Sequence, residues 1–328
     1  MPGQPAITIL LGPPRAGKTT RVLERYRALE TADKHARRLL VLVPTALAVE
    51  AAEQGLMRAP DAPPVLLDAQ ILTFADLAKR ILRHHEPDAT RLTDLGQRLL
   101  LEDIVAGLLE AGAIDYYRRV AETPGFVGAL ADLFREFKQA EITPEGFEAE
   151  LLARGEPSPK DCATHAIYAA YQRRLKDRHA YDAEGELWRV RDLLGDGKRE
   201  PFADLRALFL DGFHSFTATQ VAILPLLAAG VPEVVCTLPG DPDGRRSDLF
   251  HTVRRTIADL RDHFRVTVEP VEPAPGEGEP ILVALADHIF DTEEGATARM
   301  TPAHARPVNA PATICPSASS RRPGGRAR

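Results

Sequence analysis

Residues 12–19 read Gly12-Pro13-Pro14-Arg15-Ala16-Gly17-Lys18-Thr19, with Thr20 next. This is the G-x-x-x-x-G-K-[ST] spacing of a phosphate-binding loop. Such a loop must turn sharply, gather backbone N–H groups around anionic oxygens, and lead into a helix whose positive end faces the anion. Gly12 and Gly17 permit the turn and the close approach, and Lys18 supplies a mobile positive charge. The Thr19 hydroxyl is offered to Mg²⁺. Residues Gly12, Pro13, Pro14, Arg15, Ala16, Gly17, Lys18, Thr19 and Thr20 are therefore the candidate nucleotide-binding set, and ATP with Mg²⁺ are the expected cofactors.

The flanks supply the context that the motif needs. Residues 6–11, Ala-Ile-Thr-Ile-Leu-Leu, read as a short buried strand of the parallel-sheet kind. Residues 19–29 carry apolar side chains at helical spacing. A second buried strand at 39–43 ends at Pro44-Thr45, and 46–58 reads as another helix. Beyond a proline-rich connector at 60–64 come the apolar runs 65–67 and 71–73, then a helix over 74–82 capped by Thr73. The alternation βαβα predicts a doubly wound parallel sheet.

From about residue 94 to 194 the period changes. Leu95, Leu99 and Leu100 with Ile104, Leu108 and Leu109 predict one helical stripe, and Phe126, Leu130, Leu133, Phe134 and Phe137 predict a second. Residues 144–154 form a short third helix; Ile167, Tyr168, Tyr171 and Leu175 mark a fourth, and Leu187, Val190, Leu193 and Leu194 a fifth. This stretch holds no convincing strand, which predicts a helical insertion whose aromatics are core. Strand patterning returns at 205–210, 233–238 and 265–268, with helices over 217–229 and 249–264 between.

At 328 residues and 44% hydrophobic composition the chain can bury a large core without disulfides. Cys162, Cys236 and Cys315 are isolated, which speaks against a disulfide framework, a zinc finger or a four-cysteine iron–sulfur site in this chain. There is no secretory leader pattern and no run of 18 apolar residues, so a soluble, cytoplasmic protein without membrane contact is expected. The net charge of −6 is uneven. Six arginines and no acid follow Glu294, so residues 1–294 hold 35 of the 41 basic side chains and all 47 acidic ones, a balance of −12. Bulk charge does not announce a nucleic-acid binder.

A phosphate-binding loop needs a carboxylate at the end of a neighbouring strand to hold Mg²⁺ through water. Leu208-Phe209-Leu210-Asp211 supplies one, and Asp211 takes that role. In many motor ATPases the next residue is a glutamate that polarises the attacking water; here it is Gly212. His214 is the weak alternative base, with a surface or packing histidine as the plainer reading. Gly240-Asp241-Pro242-Asp243 either brings Asp241 toward the γ-phosphate or is a simple turn. The remaining histidines show no H-E-x-x-H or comparable ligand spacing, so no structural metal is assigned.

Residues 12–20, Leu40-Val41-Leu42-Val43-Pro44-Thr45 and Ile71-Leu72-Thr73-Phe74-Ala75-Asp76-Leu77-Ala78 resemble the first helicase motifs of UvrD-like superfamily 1 proteins. The segment 210–220, beginning Leu210-Asp211-Gly212-Phe213, looks like a degenerate D-E-x-Q-D element, and with Leu249-Phe250, Thr256 and Leu260 it is most similar to the AddB/RexB branch. That resemblance covers about residues 6–290. It implies a RecA-like P-loop NTPase domain, α/β with a parallel sheet flanked by helices, interrupted by an all-helical subdomain. The corresponding division is 1–93 and 201–269 for the RecA-like parts, 94–200 for the insertion, 270–294 for a linker and helix, and 295–328 for a disordered or frameshifted tail. It further implies an AddA-type helicase–nuclease partner and double-stranded DNA ends as substrate. Members of the branch carry a second RecA-like lobe and an iron–sulfur nuclease domain, which this chain does not reach. A truncated, motor-inactive ATP-binding portion without nuclease activity is the expectation, with a P-loop ATPase or kinase of another class, or a nucleotide-bound scaffold, as alternatives.

Overall fold

The computed structural model describes residues 4–33, 36–58, 69–241 and 249–272, and residues Met1–Pro275 form one compact unit. The chain runs β1 (Ala6–Gly12), α1 (Lys18–Asp33), β2 (Leu39–Leu42), α2 (Ala46–Met57), β3 (Gln70–Leu72) and α3 (Phe74–His85). It continues through β4 (Thr90–Arg91), α4 (Asp94–Glu110), α5 (Pro124–Gln139), α6 (Pro144–Ala153), α7 (Pro159–Asp177), β5 (Ala180–Tyr181) and α8 (Ala183–Gly195). Then come β6 (Ala207–Leu210), α9 (Ala218–Ala228), β7 (Glu233–Pro239), α10 (His251–Arg261) and β8 (Arg265–Pro270). The apolar run at 65–67, the helix expected within 270–294 and the tail from 295 lie outside the described residues.

Six strands form one parallel sheet in the order β3-β2-β6-β7-β1-β8. Its inner strands β2 and β6 are apolar and buried at every position because helices cover both faces. In β2, Leu39 and Val41 join the cluster containing Val22, Leu23 and Tyr26 of α1 and Ala52 and Leu56 of α2. Leu40 and Leu42 point the other way, into the cluster with Leu77 and Ile81 of α3, Val190 of α8, Leu224 of α9 and Leu260 of α10. The two-residue period of the strand thus builds a three-layer body from one short sequence. Helix starts follow local chemistry: the Thr73 hydroxyl accepts from the Asp76 amide at 3.1 Å, and Thr217 and Gln220 form a reciprocal capping box on α9.

Between β3 and β6, α4, α5 and α7 bury Leu101, Ile104, Phe134, Ile167, Tyr168 and Tyr171 in a cluster of their own. The large aromatics are core, as expected. Three details differ from the sequence expectation. Leu95 and Leu99 of α4 are 68% and 56% exposed, while Leu100, Leu101, Ile104 and Val105 are buried, so the packed face is rotated from the expected stripe. Which face turns inward is set by α5 and α7, which local periodicity does not see. A two-residue parallel pair, β4 with β5, also lies in this stretch. Finally, Val190, Leu193 and Leu194 of α8 pack in the same cluster as one face of the main sheet.

A buried polar junction joins these helices to α9. Lys138, near the end of α5, is 1% exposed, and its Nζ donates to both carboxylate oxygens of Asp182 at 2.7 Å. The same carboxylate accepts from the Tyr171 hydroxyl at 2.7 Å and, as the N-cap of α8, from the Gly185 amide at 2.7 Å. The backbone carbonyl of Lys138 accepts from Trp188 Nε1 at 2.9 Å and from Thr219 Oγ1 of α9 at 3.1 Å. Burial pulls the Lys138 pKa down, and the Asp182 charge opposes that shift. Removing one member of a buried pair leaves the other charge uncompensated. Lys138→Met is therefore expected to lower the unfolding free energy by about 3–5 kcal/mol, measured by urea denaturation; a change within about 0.5 kcal/mol, the range of ordinary surface substitutions, would contradict this account of the junction.

Candidate nucleotide-binding site

The carboxyl ends of β1, β7 and β6 lie side by side in the sheet, with β7 between the other two. This is the edge at which open α/β sheets bind ligands. The connection from β1 to α1 holds the glycine-rich loop, and β6 runs directly into Asp211, whose amide donates to Leu42 O at 2.9 Å.

The two glycines have different physical reasons. Gly17 has φ +83°, a left-handed conformation that favours glycine. Gly12 is confined by the chain itself: a Cβ there would lie 2.1 Å from Val271 O, just past β8. Val271 is pinned in place by donating its amide to Leu11 O at 2.7 Å. The loop holds a second left-handed residue, Arg15 at φ +65°, a departure costing roughly 1–2 kcal/mol for a non-glycine residue. Nothing in the residue type announced it. Alternating handedness of this kind turns successive amides inward into an anion-binding concavity. Ala16 is buried beneath the loop, Pro13 half-buried, and Pro14, Arg15, Thr19 and Thr20 exposed.

The first bond entering α1 runs from the Arg21 amide to Gly17 O at 3.0 Å. The amides of Lys18, Thr19 and Thr20 precede it at the positive end of the helix. Lys18 Nζ donates to Gly12 O and Pro13 O, each at 2.7 Å, which holds its charge over the mouth of the loop. Partial burial lowers the Lys18 pKa, and the Asp211 carboxylate offsets part of that.

Thr19 and Asp211, far apart in sequence, meet directly. Thr19 Oγ1 donates to Asp211, at 2.9 Å from Oδ2 and 3.1 Å from Oδ1. The pair sets a hydroxyl and a carboxylate beside the Lys18 ammonium and the loop amides, a donor set that could hold Mg²⁺ next to phosphate oxygens. Asp211 is 6% exposed.

A residue that sequence reading overlooked fixes this carboxylate. Thr237 of β7 is buried; its hydroxyl donates to Asp211 Oδ1 at 2.7 Å and accepts from the Gly212 amide at 3.0 Å. The only signal available was a hydroxyl inside the apolar run Val234-Val235-Cys236-Thr237-Leu238. Gly212 has φ +79°, so its left-handed backbone and its bond to Thr237 place a glycine where the motor pattern has glutamate. His214 is exposed, and its carbonyl lies 3.5 Å from Thr256 Oγ1. The turn after β7 is tied to the loop by the Gly240 amide donating to Gly12 O at 3.0 Å.

A family model described as "ADDB, N-terminal" matches residues 9–277. The chain belongs to the ADDB N-terminal family. Among relatives of this family, the B-type subunit of the ATP-dependent helicase/deoxyribonuclease from Alkaliphilus metalliredigens (strain QYMF) is 27% identical over 263 residues, 78% of this chain and 22% of the relative. The protein of the same name from Desulforudis audaxviator (strain MP104C) is 28% identical over 311 residues, 87% of this chain and 25% of the relative. That from Moorella thermoacetica (strain ATCC 39073 / JCM 9320) is 27% identical over 276 residues, 78% of this chain and 23% of the relative. The chain thus spans about a quarter of the length of the relatives it matches. Among the described residues, no helix is long and apolar enough to cross a membrane.

Thr237→Val keeps the shape and removes the hydroxyl, leaving the Gly212 amide without this partner and the buried Asp211 carboxylate short of one donor. A loss of about 1–3 kcal/mol in unfolding free energy is expected, with Thr237→Ser recovering most of it. Parallel urea titrations of the three proteins would check this; a neutral Thr237→Val would overturn the clamp.

Proposed function

We propose that the chain is the nucleotide-binding, helicase-like N-terminal region of an AddB-type protein, which takes up ATP with Mg²⁺ and hydrolyses it slowly or not at all. The observation that carries this reading is the meeting of Thr19 and Asp211 beside Lys18, within a family whose relatives are named as the B-type component of an ATP-dependent helicase/deoxyribonuclease. The backbone N–H groups of residues 15–20 bind the phosphates, Lys18 neutralises their charge, and Thr19 with Asp211 holds the metal. When bound, Mg²⁺ bridges and neutralises phosphate oxygens. No glutamate follows Asp211 to orient an attacking water, and the left-handed backbone at Gly212 strains any side chain placed there. We assign this region a nucleotide-sensing rather than a motor role.

In the same reading, residues 1–93 and 201–269 are RecA-like, and 94–200 form a helical insertion of the helicase 1B type. The partner is an A-type helicase–nuclease, and the assembly acts in DNA double-strand-break repair on duplex ends. The acidic body of this chain, −12 over residues 1–294, suits a protein partner together with DNA better than DNA alone.

Lys18→Ala is expected to weaken binding of a fluorescent ATP analogue by at least about tenfold, the equivalent of one charge-assisted hydrogen bond, and wild-type affinity in that variant would overturn the loop assignment. Phosphate release by the wild-type chain should stay far below about 1 s⁻¹, the low end of ordinary enzyme turnover, with or without duplex ends. Turnover at or above that rate would instead favour a catalytically competent ATPase. Any binding to duplex ends should weaken steeply as salt rises, because phosphate contacts release counterions.

A further inference from the structure

Away from the nucleotide site, the last turn of α3 meets the segment that leads from α8 into β6. His84 and His85 occupy that turn, and Glu200 faces them from the other segment. The ligand-capable atoms of the three side chains all lie within 4.8 Å of one another. The two imidazoles stand edge to face, with centroids 4.8 Å apart and planes at 77°.

His85 supplies the decisive geometry. Its Nε2 is buried and has no hydrogen-bond partner, although Glu200 Oε2 lies 3.4 Å away. A direct N–H···O bond would close to about 2.9 Å. Two ligand atoms on a tetrahedral zinc ion at its usual bond lengths stand about 3.3 Å apart. The spacing therefore suits two ligands sharing a cation better than a donor and an acceptor.

Of the neighbouring charged groups, Arg199 interacts with Glu200 through its charge, and both it and Glu86 make their hydrogen bonds elsewhere. Arg199, adjacent to Glu200, donates through Nη2 to Leu227 O at 2.6 Å and through Nη1 to Ala229 O. Glu86, adjacent to His85, accepts from Arg189 and from the Tyr181 hydroxyl at 3.1 Å. Glu200 is left as the carboxylate turned to the histidines. His84 and Glu200 are exposed, which gives an ion a path in from solvent.

We propose that His84, His85 and Glu200 bind one divalent cation of the zinc class. Two imidazoles and one carboxylate favour zinc or cobalt over Mg²⁺ or Ca²⁺, which prefer all-oxygen sites. This site is therefore chemically distinct from the magnesium position at Thr19 and Asp211. Three protein ligands leave the fourth tetrahedral position to water. The ion ties the end of α3 to the segment entering β6, the strand that carries Asp211, and stabilises the folded state by mass action. Local spacing in the sequence could not reveal it, because the carboxylate comes from a distant part of the chain.

The test is a calorimetric titration of the EDTA-stripped full chain with Zn²⁺, in excess Mg²⁺, alongside the variants His84→Ala, His85→Ala and Glu200→Gln. One equivalent of Zn²⁺ should bind the wild type and raise its thermal midpoint. Each variant should bind more than about tenfold more weakly, since even an outer-shell partner is worth that much, and should lose the thermal shift. Circular dichroism in EDTA reports whether each variant is folded; Glu200→Gln, at an exposed position, keeps the test decisive if a histidine variant is not. Absence of stoichiometric binding below about 1 mM Zn²⁺, or one-equivalent binding that folded variants retain at wild-type strength, would overturn the proposal.

Discussion

Asp211 accepts hydrogen bonds from Thr19 at the start of α1 and from Thr237 on β7, while its own amide continues the β6 ladder to Leu42. One residue, through its carboxylate and its amide, thus links four parts of the chain at a single edge of the sheet. The arrangement depends on strand order. Because β7 lies between β1 and β6, a side chain on β7 can brace the acid from the flank while the loop after β1 meets it from above. Any other placement of β7 would leave a buried carboxylate with fewer donors, which carries a high desolvation cost.

The loop itself is shaped as much by the body as by any ligand. Val271, held beside Leu11 after β8, crowds Gly12 so closely that only hydrogen fits on its Cα. Gly17 and Arg15 supply the left-handed turns. Lys18 bridges the carbonyls of Gly12 and Pro13, so its charge is fixed over the concavity by the same backbone that forms it. Preorganisation of this kind reduces the conformational freedom lost when an anion binds.

The helices between β3 and β6 have their own buried cluster, yet they are joined to the sheet's covering helices by a polar junction. Lys138 and Asp182 satisfy each other, and the Lys138 carbonyl receives Trp188 of α8 and Thr219 of α9. Thr219 follows the α9 cap that closes the segment from Asp211 onward. A hydrogen-bonded junction fixes geometry more narrowly than apolar packing, because its donors and acceptors tolerate only small shifts.

Much of this was legible in the sequence. The βαβα order, the glycine loop, Asp211 at the end of an apolar strand, and the Thr73 cap are local signals, each written within a few adjacent residues. Periodicity and short-range hydrogen bonding act over that distance. The tertiary structure alone decided the inward face of α4, the hydroxyl clamp from Thr237, the crowding of Gly12 by Val271, the Lys138–Asp182 pair and the approach of Glu200 to His84 and His85. Each of these depends on which distant segments become neighbours. That is fixed by strand order and by burial summed over the whole body, quantities that no local stretch of residues contains.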